Sequence, residues 1–189
     1  MDRSKEKLLF IDSLVIGYGS KRLLPPLSAD AVRGELVAVI GRNGIGKSTL
    51  LRTLLGLQPA MGGKVFIDGK NLGDLSRIQM ARRIGYISTE IIRVSNMTVF
   101  DLVASGRYPH TNWIGQTDEH SYAAVKDAMD KTGLTGFEGR YISSLSDGER
   151  QRAMIARILA QETDILIMDE PTAFLDIVSK FDIIKLLLK

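Results

Sequence analysis

An α/β fold follows from three features of the sequence. Apolar, β-rich runs recur at residues 8–16, 36–40, 64–67, 84–88 and 164–168, and several are followed by segments with helical spacing. The runs "LVAVI" (36–40) and "ILIM" (165–168) are continuous rather than alternating, the pattern of central strands in a sheet covered on both faces. Between Val94 and Tyr141 the pattern turns polar and helix-like, with "TVFDLVASG" and "SYAAVKDAMDKTG", and reads as a mostly helical insertion.

The first run, "KEKLLFIDSLVIGY", carries Asp12 and has no small-residue cleavage site, so it reads as a strand rather than a signal peptide. "GKVFIDGK" (63–70) has glycine near both ends and reads as a hairpin strand of a smaller antiparallel region. No internal repeat, low-complexity tract or interdomain linker interrupts the chain. Its 189 residues, 44% hydrophobic, fit one domain with a packed core. The 25 basic and 22 acidic residues are spread throughout, and the net charge of +3 gives no strong case for nucleic acid or a polybasic membrane anchor. The absence of cysteine excludes a disulfide framework and a thiolate metal site, and suits a reducing compartment. No apolar run approaches the roughly twenty residues of a membrane-spanning helix, so work at a membrane requires a partner within it.

"GRNGIGKST" (41–49) fits the pattern G-x-x-x-x-G-K-[ST], and it stands after the run "LVAVI" and before the helical pattern "STLLRTLLGL". Gly41, Gly44 and Gly46 let the backbone wrap closely around phosphates, with successive N–H groups and the positive helix end facing the anion. Lys47 is placed to reach β- and γ-phosphates, and the Ser48 hydroxyl to bind Mg²⁺. Downstream, Asp169 and Glu170 end the run "ILIM". Alone, "DEPT" is a strand end followed by a turn at Pro171. Paired with the phosphate loop, Asp169 becomes the acid of the Mg²⁺ shell and Glu170 a general base for the attacking water.

"LSDGERQRAMIARILA" (145–160) opens with Ser146 and has Glu149 three residues later, a capping box. Met154, Ile155, Ile158 and Leu159 give it an apolar face that would cover a sheet. Its N-terminus, with Gly148, also offers a second anion site, of use to a second chain when each chain has its own phosphate loop.

In combination these segments resemble the nucleotide-binding domain of ABC transporters, from about Leu8 to the last residue. The resemblance implies a P-loop NTPase (RecA-like) core with an N-terminal antiparallel β region and a helical subdomain: core at 1–88 and 151–189, helical subdomain at 89–150. It implies that ATP is bound by Tyr18, which matches an aromatic stacked on adenine, and by Gly41, Asn43, Gly44, Gly46, Lys47, Ser48 and Thr49. Leu145, Ser146, Asp147, Gly148 and Glu149 match the signature that binds the ATP of a partner chain in a head-to-tail dimer. Ser48 and Asp169 match the Mg²⁺ ligands, Glu170 the catalytic glutamate, and Asp176, in "AFLD", the D-loop. Thr89 and Glu90 stand where the family has its Q-loop glutamine. A further departure is the signature itself, where Asp147 and Glu149 replace a glycine and a glutamine and bring negative charge near a phosphate.

"GRYPHTNWIG" (106–115) resembles a segment of importer ATPases for iron-siderophore, haem and cobalamin, in a region that docks on the membrane permease. The resemblance therefore implies an ATPase subunit, peripheral on the cytoplasmic face of the membrane. Its partners would be a second ATPase subunit, an integral membrane permease and, indirectly, a periplasmic or lipoprotein substrate-binding protein, with no nucleic acid. The family also has a histidine on a later strand, whereas the chain's two histidines, His110 and His120, precede the signature. The chain is accordingly expected to be C-terminally truncated and slow in hydrolysis. The competing expectations are a soluble ABC protein acting on nucleic acid and a nucleotide-dependent interaction module without turnover.

Overall fold

The computed structural model describes residues 7–88, 96–111, 118–170 and Lys185. The chain divides into two compact units, residues 1–84 and 85–189.

The first unit is built on a four-stranded antiparallel sheet of order β4-β1-β5-β6, with β1 at Lys7–Val15, β4 at Leu27–Val32, β5 at Gly62–Ile67 and β6 at Lys70–Asn71. Between β1 and β4, two short strands, β2 (Gly17–Tyr18) and β3 (Lys21–Arg22), form a hairpin of their own. β1 and the β5–β6 hairpin are where the sequence placed strands. β4, "LSADAV", carries no β-branched residue before Val32 and was not legible; pairing along β1 from Lys7↔Val32 to Leu14↔Leu27 overrides its weak propensity. Leu8, Ile11 and Leu14 of β1, Val65 and Ile67 of β5, and Leu50 and Leu54 of α1 (Lys47–Leu54) are buried. Across β1 and β5 the directly opposed Phe10 and Phe66 stack at 5.9 Å.

A bulge in β1 between Asp12 and Val15 sets the register against β5, with Ser13 at φ 49°. Gly63 faces it at φ 76°, and a Cβ there would lie 2.3 Å from the carbonyl oxygen of Ser13 and 2.5 Å from that of Asp12. Gly63→Ala is therefore expected to lower stability by roughly 2 kcal/mol or more, read as a shifted denaturation midpoint, since both φ and the backbone contact reject a side chain.

One expectation is corrected. Residues 36–40, "LVAVI", form no strand, and Leu36 and Ile40 are 73% and 93% exposed. A central strand needs neighbours on both edges and layers over both faces, and among the described residues no strand pairs with this run. Its composition records what would bury it, not that burial is achieved.

After the short helix α2 (Arg77–Ala81), held by a capping box between Ser76 and Gln79, comes β7 (Ile84–Ile87). In the second unit β7 pairs with β8 (Ile165–Met168). The remainder of its described residues is mostly helical, as the sequence indicates: α3 (Val99–Ala104), α4 (Glu119–Lys131) and α5 (Asp147–Ala160). Each begins at a side-chain cap, Thr98, Asp118 and Ser146 respectively. Val99, Val103, Val125, Met129, Leu134 and Ala153 form their common core. A second cluster sets Ile155 and Ile158 of α5 on Ile87, with Leu166 and Met168 of β8 beside them.

Between α3 and α4, a 3₁₀ turn at Ser105–His110 lies against the C-terminal end of α5. A Cβ on Gly106 would stand 2.0 Å from the Arg157 carbonyl oxygen, so only glycine permits this approach. Arg107, 2% exposed, donates to the Ala160 carbonyl, to Ser121 Oγ and to Glu162, and His110 Nε2 bonds the Gln161 carbonyl. Trp113, in the segment 106–115, lies outside the described residues. Among the described residues no helix is long and apolar enough to cross a membrane.

Candidate functional site

The phosphate loop takes the conformation its glycines allow. Gly44 and Gly46 have φ of 79° and 113°, a left-handed backbone that other residues adopt only at a cost. Asn43 and Gly44 form a turn, and Ile45 N donates to the Arg42 carbonyl at 3.3 Å. Gly46 is the cap of α1, where no side chain accepts from the first turn and no acid sits in it. The positive end of this helix is thus unopposed by any carboxylate of its own first turn, the arrangement that suits an anion. Lys47 Nζ donates to the carbonyls of Gly41 (2.8 Å) and Arg42 (3.1 Å), tying the cation to the start of the loop. Ser48 is exposed in the first turn, and Thr49 is buried with its hydroxyl 3.0 Å from that of Tyr18. Tyr18 itself is 57% exposed on β2. The bond to Thr49 places the Tyr18 hydroxyl against the first turn of α1.

In the second unit, Asp169 continues directly from β8, and its N–H donates to the Ile87 carbonyl at 3.0 Å, so the pairing with β7 fixes where it stands. Glu170 is exposed and adopts φ 48°. Glu170 shares this left-handed backbone with Ser13, Asp68, Asn96 and Glu162, a conformation that costs a residue with a side chain.

The signature segment resolves its own departure from the family pattern. Leu145 is buried, and Ser146 caps α5, accepting from Glu149 N. The Glu149 carboxylate accepts from Ser146 N (2.7 Å) and Ser146 Oγ (2.8 Å), and Arg140 donates to its other oxygen at 3.3 Å. Asp147 accepts from Arg150 Nη1 at 2.8 Å, while Arg150 Nη2 holds the Leu145 carbonyl. Both extra acids are thus engaged by the helix cap or by arginine. Hydrogen bonds from the Ser146 backbone and hydroxyl, then the charge of Arg140, hold the Glu149 carboxyl below its ordinary value. A lowered carboxyl pKa contributes stability above the ordinary glutamate range and loses it as pH falls through the folded value. The cap is accordingly expected to stay closed at neutral pH and to open in acid, at a pH below the ordinary glutamate range; the Ser146 amide shift in a pH titration by NMR reports it, and in Glu149→Gln that acid transition disappears.

Thr89, Glu90 and Asp176, expected in the Q-loop and D-loop, lie outside the described residues. Among the described residues no cluster of three or more His, Cys, Asp or Glu could hold a metal by itself. Ser48 in the first unit and Asp169 in the second each carry a hard oxygen donor of the kind Mg²⁺ takes.

The sequence pattern of the ABC transporter family matches residues 24–173, which include the phosphate loop, the signature and the carboxylate pair. The chain belongs to the ABC transporter family. It is 42% identical over 180 residues to the ferric enterobactin transport ATP-binding protein of Escherichia coli K12, covering 93% of this chain and 65% of that protein. It is 39% identical over 176 residues to a siderophore transport system ATP-binding protein of Bacillus subtilis, covering 93% and 64%. The chain thus spans slightly less than two thirds of the length of these relatives. Among solved structures, a metal-chelate type ABC transporter in an inward-facing conformation superimposes with a TM-score of 0.83 at 32% identity, covering 97% of this chain and 67% of that one. An ATP-binding cassette in its ADP conformation gives 0.85 at 22% identity, covering 96% and 76%, which shares the fold.

Proposed function

We propose that this chain is the nucleotide-binding part of the ATP-binding subunit of an ABC importer. The observation that carries the proposal is the loop at residues 41–49, with Gly44 and Gly46 in left-handed conformations ahead of α1 and Lys47 fixed within the loop. On this reading two copies associate head to tail, and each ATP lies between the phosphate loop of one and Leu145, Ser146, Asp147, Gly148 and Glu149 of the other.

Each residue then has a physical task. The backbone N–H groups from Gly41 to Thr49 and the positive end of α1 receive the phosphates, Lys47 neutralises the β- and γ-phosphates, and Tyr18 stacks on adenine. Glu170 takes the proton of the attacking water. Ser48 and Asp169 would hold Mg²⁺, which when bound supplies positive charge to the phosphate oxygens. Glu90, with Thr89, occupies the Q-loop position, and Asp176 that of the D-loop. Ser146 binds the partner copy's nucleotide through the N-terminus of α5. Ile155 packs on Ile87 of β7, and Ser146 stands about 14 Å from it along the helix at 1.5 Å per residue.

The subunit works at the cytoplasmic face of the membrane on an integral permease, with a substrate-binding protein delivering cargo on the far side. An iron chelate is the preferred cargo class, ahead of haem and cobalamin. Both the segment at 106–115 and the iron-chelate names of the relatives support this choice. The gene's deletion in the source strain tests it: growth should fail on a ferric siderophore as sole iron source and persist on a ferrous salt. Undiminished growth on the siderophore, with loss of growth on haem or cobalamin instead, would reassign the cargo; no effect on any of the three would contradict the importer role.

A further inference from the structure

Tyr18 and Thr49 stand 31 residues apart in sequence, and their hydroxyls share a hydrogen bond of 3.0 Å. Thr49 is 7% exposed, whereas Tyr18 keeps more than half its surface open. The tyrosine is thus anchored at the far end of its ring while leaving surface for a ligand.

The rest of the hairpin is held as firmly. Tyr18 pairs with Lys21 and Gly17 with Arg22 across β2 and β3. Gln58, beyond the end of α1, donates to the Gly17 carbonyl at 2.8 Å. Leu23 closes the hairpin onto the Ile16 carbonyl, and its side chain lies where a Cβ on Gly46 would come within 3.3 Å. The hairpin therefore touches the loop at Gly46, the helix at Thr49 and the segment after it at Gln58. Both torsions of the Tyr18 side chain are restrained before any ligand arrives, so the entropy of ordering that ring is not charged to binding.

We propose that Thr49 is a positioning residue whose hydroxyl holds the Tyr18 ring in register with the phosphate loop, so that base and phosphates of one nucleotide are met at a fixed spacing. This rests on the nucleotide-binding function proposed above and adds to it a coupling between base recognition and phosphate recognition.

Two probes separate the parts of the ligand: ATP, and inorganic tripolyphosphate, which has the phosphates without a base. Equilibrium binding of both in Mg²⁺ is measured for the wild-type chain, Tyr18→Phe, Thr49→Val and the double variant, with melting temperatures as a control for folding. Tyr18→Phe keeps the ring and removes only its hydroxyl; it should bind ATP between about two- and tenfold more weakly and tripolyphosphate as the wild type does. Thr49→Val should lose the same factor in the ratio of ATP to tripolyphosphate affinity, and the double variant should lose no more than either single change. ATP affinity unchanged in Tyr18→Phe would overturn the proposal. So would an equal loss for both probes, which would mean that the bond supports the loop rather than the ring. Failure of the wild-type chain to bind either probe would overturn the nucleotide-binding function itself, and this coupling with it.

Discussion

Glu170→Gln is expected to lower hydrolysis of bound ATP by roughly 10²–10⁴-fold, the usual contribution of a positioned general base, while ATP affinity stays within a few-fold of wild type. The amide retains the shape of the side chain but cannot accept the proton of the attacking water at neutral pH. Because Glu170 follows a strand fixed by the bond from Asp169 N to the Ile87 carbonyl, the substitution should leave the end of β8 in place. Single-turnover hydrolysis with the chain in excess over labelled ATP, beside equilibrium ATP binding, separates the two effects. If Glu170→Gln hydrolyses ATP as the wild type does, another group is the base. A parallel loss of binding would instead give Glu170 a structural part at the turn, where its φ of 48° already departs from the ordinary backbone.

Lys47→Ala should weaken ATP binding about 10- to 150-fold, equivalent to about 1.5–3 kcal/mol for losing hydrogen bonds from a charged donor. It also removes the tether to the Gly41 and Arg42 carbonyls, so the first half of the loop should become more susceptible to proteolysis. Lys47→Arg is expected to recover little of the loss, because a planar fork does not replace a compact ammonium within the same loop. Titration with a fluorescent ATP analogue measures all three. Binding by Lys47→Ala equal to wild type would remove the phosphate loop from the account.

The site was legible where chemistry dictates residue type at fixed spacing, and illegible where tertiary packing decides. Gly44 and Gly46 announce a left-handed turn ahead of a helix because glycine adopts it without strain, and the structure places both at positive φ. Ser146 and Glu149 announce a cap for a similarly local reason, and the reciprocal bonds are present. The sequence could not say that Arg140 and Arg150 would take up the two extra acids of the signature, since the Arg140 contact depends on how the loop before α5 folds back. Nor could it reveal the Tyr18–Thr49 bond, which joins two elements only once the hairpin docks on α1. The left-handed backbone at Glu170 gave no warning in a residue type that rarely adopts it. At residues 36–40 the inference failed in the other direction: an apolar run specifies a buried strand only when neighbours arrive to pair with it, and pairing is a property of the whole sheet. β4 is the converse, a weak strand sequence made into a strand by its partner β1.

The most direct test of the composite ATP site is the mass of Glu170→Gln in solution, measured by light scattering during size exclusion with and without Mg²⁺ and ATP. The account predicts a monomer without nucleotide and a dimer with it. It also predicts loss of the dimer when Ser146→Arg is added, with ATP still bound to the phosphate loop of each monomer. A dimer that forms equally well with Ser146→Arg, or a chain that stays monomeric at saturating ATP, would contradict the claim that one copy's signature completes the other copy's nucleotide site.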